Sequence, residues 1–179
     1  VETNSIVVRR ASEGDIPAMT EVNMECFHGD RGSPVSATKW LMCRVKSFPL
    51  YQLFVIEVGG KVAGYVGWEI HGGFLRTEPV VELEQIGILE QERNLKLGSQ
   101  LQEESLRAIT DWVKENNPRI ESSVSFVVWV YAHNLRAINI YLKVFTDGIV
   151  GMRTQYGNRS EVMLRHRVPL VVGVPKEER

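Results

Sequence analysis

Two short segments of this chain hold residues whose types and spacing suit chemistry. The first reads Ile88-Leu-Glu-Gln-Glu-Arg93-Asn94-Leu-Lys96-Leu97-Gly98-Ser99-Gln-Leu101. It is the end of a strand, a polar loop and the start of a helix near Gly98. A helix start offers unpaired N–H groups and the positive end of the helix dipole, which together suit a phosphate or pyrophosphate. Arg93 and Lys96 add positive charge. Gly98 has no side chain, so a ligand can come close to its backbone. Alone, the segment equally fits a solvated basic turn whose glycine only packs closely.

The second segment reads Val130-Tyr-Ala-His-Asn134-Leu-Arg-Ala137-Ile-Asn-Ile-Tyr141. Asn134 and Tyr141 lie seven residues apart, two helical turns, and so fall nearly on one face. A phenol there can give a proton to a leaving thiolate. A plain N-cap for Asn134 and a core aromatic for Tyr141 are the simpler readings. A third pattern sits just before the first segment. In the strand Val80 to Ile88, period-two alternation puts Glu82 and Glu84 on one face with Ile86 and Ile88.

These groups need a scaffold, and the chain reads as one. Ile6 to Arg10 is a short strand. Asp15 has the place of a helix N-cap, with Pro17 in the first turn and an apolar face of Ile16, Met19, Val22, Cys26 and Phe27. His28 to Pro34 is a loop, and Ser36 to Ser47 a second helix. Leu53 to Val58 and Val62 to Ile70 form a hairpin turned at Gly59-Gly60. A long helix from about Leu95 to Asn116 carries the stripe Leu97, Leu101, Ser105, Ala108 and Trp112. Val124 to Tyr131 is nearly continuously apolar, which predicts a central strand covered on both faces. A short helix follows Asn134, then strands near Ile149 to Arg153 and Glu161 to Arg165. The order is β-α-α-β-β-β-α-β-α-β-β, a mixed α/β sheet with helices on both faces.

The 179 residues suit one domain over 1–179, with a core at 6–166 and a partly mobile tail at 167–179. A net charge of −1 argues against nucleic acid as a partner. No apolar run reaches the roughly 20 residues that cross a bilayer, so no membrane partner is expected. Residues 1–10 hold no apolar stretch of signal-peptide type, and a chain that starts on Val reads as trimmed or processed. The two cysteines, Cys26 and Cys43, read as free thiols in a reducing cytoplasm. Neither has a His or a second Cys at ligand spacing, so no metal is expected. Sheet edges near the C-terminus leave room for a homodimer.

Taken together, the two segments resemble the GNAT superfamily of N-acetyltransferases. That family has a coenzyme A loop of form Val-x-Pro-x-x-(Arg/Gln)-x-x-Gly-x-(Gly/Ala). Ile88 stands for its Val, Arg93 for its Arg and Gly98 for its last Gly. Asn134, Ala137 and Tyr141 match a later Asn, an Ala three on and a Tyr seven on. The opening Arg-Arg-Ala-Ser-Glu-Gly-Asp15-Ile-Pro and the Gly59-Gly60 hairpin also fit, so the resemblance spans about residues 6 to 166. It departs at Glu90, where the family has Pro, at Lys96, where it has Gly, and at Val144-Phe145, where it has Gly-Phe. A Lys at 96 needs no left-handed backbone if that residue is already helical.

The resemblance implies a twisted, largely antiparallel sheet of six to seven strands with the fourth and fifth strands parallel. It implies acetyl-CoA as cosubstrate and transfer of its acetyl group to a primary amine by direct attack in a ternary complex. The coenzyme-binding set is then Ile86, Ile88, Arg93, Asn94, Lys96, Leu97, Gly98, Ser99, Asn134, Ala137 and Tyr141. A backbone N–H of Ile86 or Ile88 would hold the acetyl or pantetheine oxygens. An alkyl amine has an intrinsic pKa near ~10.4 and must lose a proton before it attacks; a thiol at about 8.5 leaves better with one. Tyr141 is the acid on this reading and Glu84 the base, through water, with Glu82 second. Both carboxylates equally suit binding of a cationic acceptor or pairing with Arg or Lys. The family's acceptor region corresponds to Phe27 to Trp40, Gly72 to Glu78 and Tyr156. Trp40 and Trp68 are pocket walls or core residues. The competing reading is a non-catalytic acyl-CoA-binding regulatory domain. A dinucleotide fold is a poor fit, because Gly98 stands alone in its loop.

Overall fold

The computed structural model describes residues 5–27, 32–155 and 159–170. Among them lies one seven-stranded sheet in the order β1-β2-β3-β4-β5-β7-β6. The strands are β1 (Ile6–Arg10), β2 (Tyr51–Val58), β3 (Lys61–His71), β4 (Val80–Ile88), β5 (Ser123–Tyr131), β6 (Gly148–Gln155) and β7 (Arg159–Pro169). The helices are α1 (Ile16–Cys26), α2 (Pro34–Lys46), α3 (Leu97–Asn116) and α4 (Leu135–Tyr141). β4 and β5 run parallel; the other neighbours are antiparallel. This is the mixed sheet expected from the element order.

Local signals start and stop the elements. Ser33 caps α2 by accepting from the Ser36 N–H at 3.2 Å, with Pro34 in the first helical position. Gly59 and Gly60 take φ of 58° and 78°, the left-handed backbone of a tight hairpin. Asp15 does precede α1 but does not cap it. Its carboxylate turns back to the Ser12 N–H at 2.7 Å and to both terminal nitrogens of Arg9, at 2.7 and 2.9 Å. The Arg9 guanidinium therefore holds Asp15 well below the usual carboxylate range, against the opposing effect of burial.

Two cores flank the sheet. On one face α3 buries Leu97, Leu101, Ile109 and Val113 against Val66, Trp68, Phe126 and Phe145. Each such side chain contributes about 1.5–3 kcal/mol on leaving water. The serine in the α3 stripe has a reason: Ser105 Oγ accepts the buried Trp68 Nε1–H at 2.9 Å. Trp68 is therefore core and not a pocket wall. On the other face α1 and α2 bury Ile16, Met19, Val22 and Leu41 against Tyr51, Leu53, Val55 and Tyr65.

Two expectations change here. β5 is covered on both faces only in its first half: away from α3, Ser123 and Val127 are buried, but Trp129 and Tyr131 beyond them are not. Val124, Phe126, Val128 and Val130 join the α3 core, while α1 and α2 pack chiefly over β2, β3 and β4. Trp129 and Tyr131 stay part-exposed on the other face, where Arg153 lies 4.1 Å over the Trp129 ring. The aromatic character of these two residues kept the run apolar without a helix to cover it. The tail also begins later than residue 167. Val168 pairs with Val124, Pro169 with Ser123, and Leu170 is buried.

The third change bears on the site. Gly67 pairs with Gln85 while the next β3 residue, Trp68, pairs with Leu83, so Glu84 is an extra residue in β4. This β-bulge breaks the period of two. Val81 and Leu83 face α3, and after the bulge so do Ile86 and Ile88. Glu82 and Glu84 thus lie on the α1/α2 face, opposite Ile86 and Ile88, and not on one face with them. Gln85 and Gly87 also face α1.

Candidate active site

The β4–β5 pairing runs from Val80↔Ser125 to Leu83↔Val128 and stops there. The strands part at the bulge. Leu89 N–H donates to Ala63 on β3, so by strand alternation the polar groups of Ile88 and Ile86 point the other way, into the gap. The Ile88 carbonyl confirms the direction: it accepts from Cys26 Sγ at 3.3 Å and Arg93 Nε at 3.1 Å. The gap opens into a cleft of about 660 Å³. Its walls are Ile86, Gly87 and Ile88 of β4, Arg93, Lys96, Gly98, Ser99 and Gln102 around the α3 start, Asn134, Arg136, Ala137, Ile140, Tyr141 and Lys143 around α4, and Cys26 and Phe27 of the α1 end. A Cβ on Gly87 would meet Val22, Cys26 and Phe27 at 3.1 to 3.2 Å, so a glycine lets α1 lie this close to the split.

At the α3 start Lys96 takes φ 57° and ψ 19°, a left-handed conformation and the one non-glycine positive φ among the described residues. It is not helical, contrary to expectation. The turn Glu90–Leu95 is a 3-10 helix, and reversing from it into α3 requires this backbone. A side chain there is strained by roughly 1–2 kcal/mol. Lys96→Gly relieves that strain, and the extra freedom of glycine in the unfolded chain offsets about half of it. Urea denaturation of Lys96→Gly is expected to show a gain of about 0.5–1 kcal/mol; a lower midpoint would contradict the strain. No side chain caps α3, so its first N–H groups face the cleft mouth. A Cβ on Gly98 would meet only Ile88, at 3.9 Å; its glycine leaves space in the cleft and is not forced by packing.

Across the cleft, Asn134 caps α4 by accepting from the Ala137 N–H at 3.1 Å. Two turns on, Tyr141 packs edge-on against Phe145 with centroids 5.9 Å apart. Burial pushes its phenol up to about 12, so the hydroxyl is held protonated at neutral pH. Elsewhere in the cleft wall, burial raises the Cys26 thiol, against the pull of Arg93. Sequence reasoning named Ile86, Ile88, Arg93, Lys96, Gly98, Ser99, Asn134, Ala137 and Tyr141, and the fold brings all nine into this one cleft. Leu97 is different: its side chain is fully buried in the α3 core. The Asn94 side chain and Tyr156 lie outside the described residues.

The carboxylates stand on the opposite face of the sheet. Glu84, on the bulge, accepts from Arg44 Nη2 at 3.1 Å. Glu82 Oε2 lies 2.7 Å from His71 Nε2. Residues 72–77 precede β4 and line a separate cavity of about 620 Å³ with Leu50 and Arg119. That cavity sits at the far end of β4 from the split.

A sequence profile of the acetyltransferase (GNAT) family matches residues 16–145, from the start of α1 to the end of the α4 wall. The chain belongs to the GNAT acetyltransferase family. A curated N-alpha-acetyltransferase from Sulfurisphaera tokodaii is 29% identical over 117 residues, 62% of this chain and 65% of that protein. The chain thus spans about two thirds of that relative's length. The fold is shared with the ribosomal-protein-S18-alanine N-acetyltransferase of Escherichia coli (TM-score 0.63, 17% identity, 96% of this chain and 98% of that one). It is shared too with the PaiA N-acetyltransferase of Thermoplasma acidophilum, solved with coenzyme A (TM-score 0.62, 14% identity, 90% and 99%).

Set against the GNAT motif, the replacement of Pro by Glu90 has a local answer. The N–H that a proline lacks is here satisfied by Glu25 of α1, at 2.6 Å. Six cleft residues escaped the sequence reading: Cys26, Gly87, Gln102, Arg136, Ile140 and Lys143. Gln102 is one turn beyond Gly98 on the same helix face, a spacing that could have flagged it. Arg136 and Lys143 raise the cations on the rim to four, with Arg93 and Lys96. Cys26 was read only as part of the apolar face of α1.

Proposed function

We propose that this GNAT domain takes acetyl-CoA into the split and transfers its acetyl group to a primary amine presented from the α1/α2 face. The observation that carries the reading is the parted β4–β5 edge, where the backbone N–H groups of Ile86 and Ile88 turn away from β3 toward a basic helix start. The residues fit the coenzyme. Gln102 Oε1 is buried in the cleft wall without a hydrogen-bond partner, and an amide N–H of the pantetheine arm would satisfy it. Gly98 leaves the space a phosphate needs, and Arg136 and Lys143 supply charge opposite it. When bound, acetyl-CoA supplies an activated carbonyl carbon.

The chain's own groups then divide the work. The Ile86 N–H would steady the carbonyl oxygen as charge develops on it. An ammonium acceptor gives one proton to Glu84, directly or through water, and the free amine forms the new C–N bond. As the C–S bond breaks, Tyr141 gives its phenolic proton to the sulfur. The second amine proton restores the phenol through solvent. Glu82, 2.7 Å from His71 Nε2, is the alternative base. A protein N-terminal amine is the acceptor class favoured by the name of the curated relative. A cytoplasmic setting suits the free thiols Cys26 and Cys43.

Calorimetric titration tests this. Acetyl-CoA and desulfo-CoA are expected to bind at micromolar affinity and NADH not at all. Gln102→Leu should weaken acetyl-CoA about tenfold, the loss of one hydrogen bond. No binding of acetyl-CoA would sink the proposal. Binding without release of free coenzyme A thiol across peptides and small amines would leave an acyl-CoA-binding domain.

A further inference from the structure

The α1/α2 face of the split carries an arrangement that the coenzyme reading leaves unused. Arg44, in the last turn of α2, sends its guanidinium over two aromatic rings. Its Cζ lies 4.4 Å from the Tyr51 ring centre and 5.3 Å from that of Trp40. The rings meet edge-on, 6.3 Å apart and 79° inclined, so they form two sides of a corner. Glu84 closes a third side, accepting from Arg44 Nη2 at 3.1 Å. Two aromatic faces and a carboxylate are the chemistry that recognises an organic cation. At the base of the corner the Tyr51 hydroxyl is buried beside Glu84 and makes no hydrogen bond of good geometry. Burial first, and then the negative charge of Glu84, keep that phenol protonated, so it stays available as a donor.

The place of the corner matters. Glu84 is the bulged residue of β4, where β4 and β5 part. A cation held there lies where the cleft meets the open face of the sheet. The occupant in this structure is a side chain on a flexible stem. The Arg44–Glu84 pair is about a quarter exposed, at 28% and 27%, and part-exposed pairs of this kind are weak and exchange readily. Trp40 and Arg44 are four residues apart on α2, so one helix carries both the wall and the occupant.

We propose that Trp40, Tyr51 and Glu84 form the seat for the cationic group of the acceptor, and that Arg44 fills it until the acceptor displaces it. This rests on the amine-acceptor reading above. Arg44 is then a specificity residue: an acceptor must outcompete a tethered guanidinium, which selects against weak cations. Displacement also leaves the acceptor ammonium against Glu84, the group that must take its proton. The tether lowers apparent affinity by the fraction of time the seat is open.

The test reads the seat without turnover. The protein is labelled with 5-fluorotryptophan, and Trp40→Phe assigns the Trp40 resonance. Wild type, Arg44→Ala and Arg44→Gln are titrated with ethylammonium and methylguanidinium chloride against sodium chloride, without acetyl-CoA. Circular dichroism checks the fold, and Arg44→Gln keeps the stem should Arg44→Ala unfold. Both variants should show a saturable shift at a concentration about tenfold lower than wild type, abolished by adding Glu84→Gln. A shift no stronger than in wild type, or one indifferent to Glu84→Gln, would overturn the seat and make Arg44 a plain helix-to-sheet clamp. Failure here with amines still acetylated leaves the proposed function standing. Titration of the seat with no amine acetylated would reverse that outcome.

Discussion

Tyr141→Phe is expected to lower kcat roughly a hundred- to a thousandfold, the range for removing one proton donor, while the Kd for acetyl-CoA stays within about twofold. The ring is what packs: it lies edge-on to Phe145 and lines the cleft beside Ala137, and phenylalanine keeps both contacts. Only the hydroxyl is lost, and no hydrogen bond from it to the protein is among those described. Burial holds the phenol at about 12. A raised value favours the protonated form, so the donor is present below that pH and is lost only on passing it. The wild-type rate should therefore show no alkaline fall from Tyr141 up to pH 10. Single-turnover kinetics beside calorimetry separate the two quantities. Equal loss of rate and affinity would make Tyr141 structural.

The cleft residues were legible because their signals are local. The loop that ends in Gly98 and the seven-residue step from Asn134 to Tyr141 depend on residues close in sequence, and helical spacing places them whatever the rest of the chain does. The carboxylates were misplaced because their signal is not local. A period of two holds only along an unbroken ladder, and β4 is broken at Glu84. The side that β4 presents beyond the break is marked by contacts far off in sequence: Gln85 meets Tyr65, 20 residues away, and Asn23, 62 away. Nothing within β4 announces them. Lys96 was misread for a related reason. Its backbone is set by joining a 3-10 turn to α3, and the residue type itself argues against a left-handed backbone. The seat around Arg44 needs α2, β2 and β4 at once, so no motif carries it.

The partners of Gln85 lead to the second large effect. Asn23 Nδ2 donates to Tyr65 Oη at 2.6 Å and to Gln85 Oε1 at 3.1 Å, and Tyr65 Oη donates to the same Gln85 oxygen. All three residues are buried, so no water replaces a lost acceptor. Gln85→Leu removes the acceptor that Asn23 and Tyr65 share, at about 1–3 kcal/mol for each of the two bonds broken. Urea unfolding is expected to show a loss of about 2–5 kcal/mol, a large share of the roughly 5–15 kcal/mol that holds a domain folded. Replacing all three, as Asn23→Leu, Tyr65→Phe and Gln85→Leu, removes donors and acceptor together and should return stability to within about 1–2 kcal/mol of wild type. A triple variant no better than the single would mean that shape, not hydrogen bonding, is what this network supplies. The triple also asks what holds the bulge. Gly87 leaves no room for a side chain against Val22, Cys26 and Phe27, so Ile86 and Ile88 cannot turn to the α1 face even without the polar triad. Acetyl-CoA affinity should therefore return with stability. Recovered stability with lost affinity would instead make Asn23, Tyr65 and Gln85 the determinants of the bulge, and of the free strand edge that the coenzyme needs.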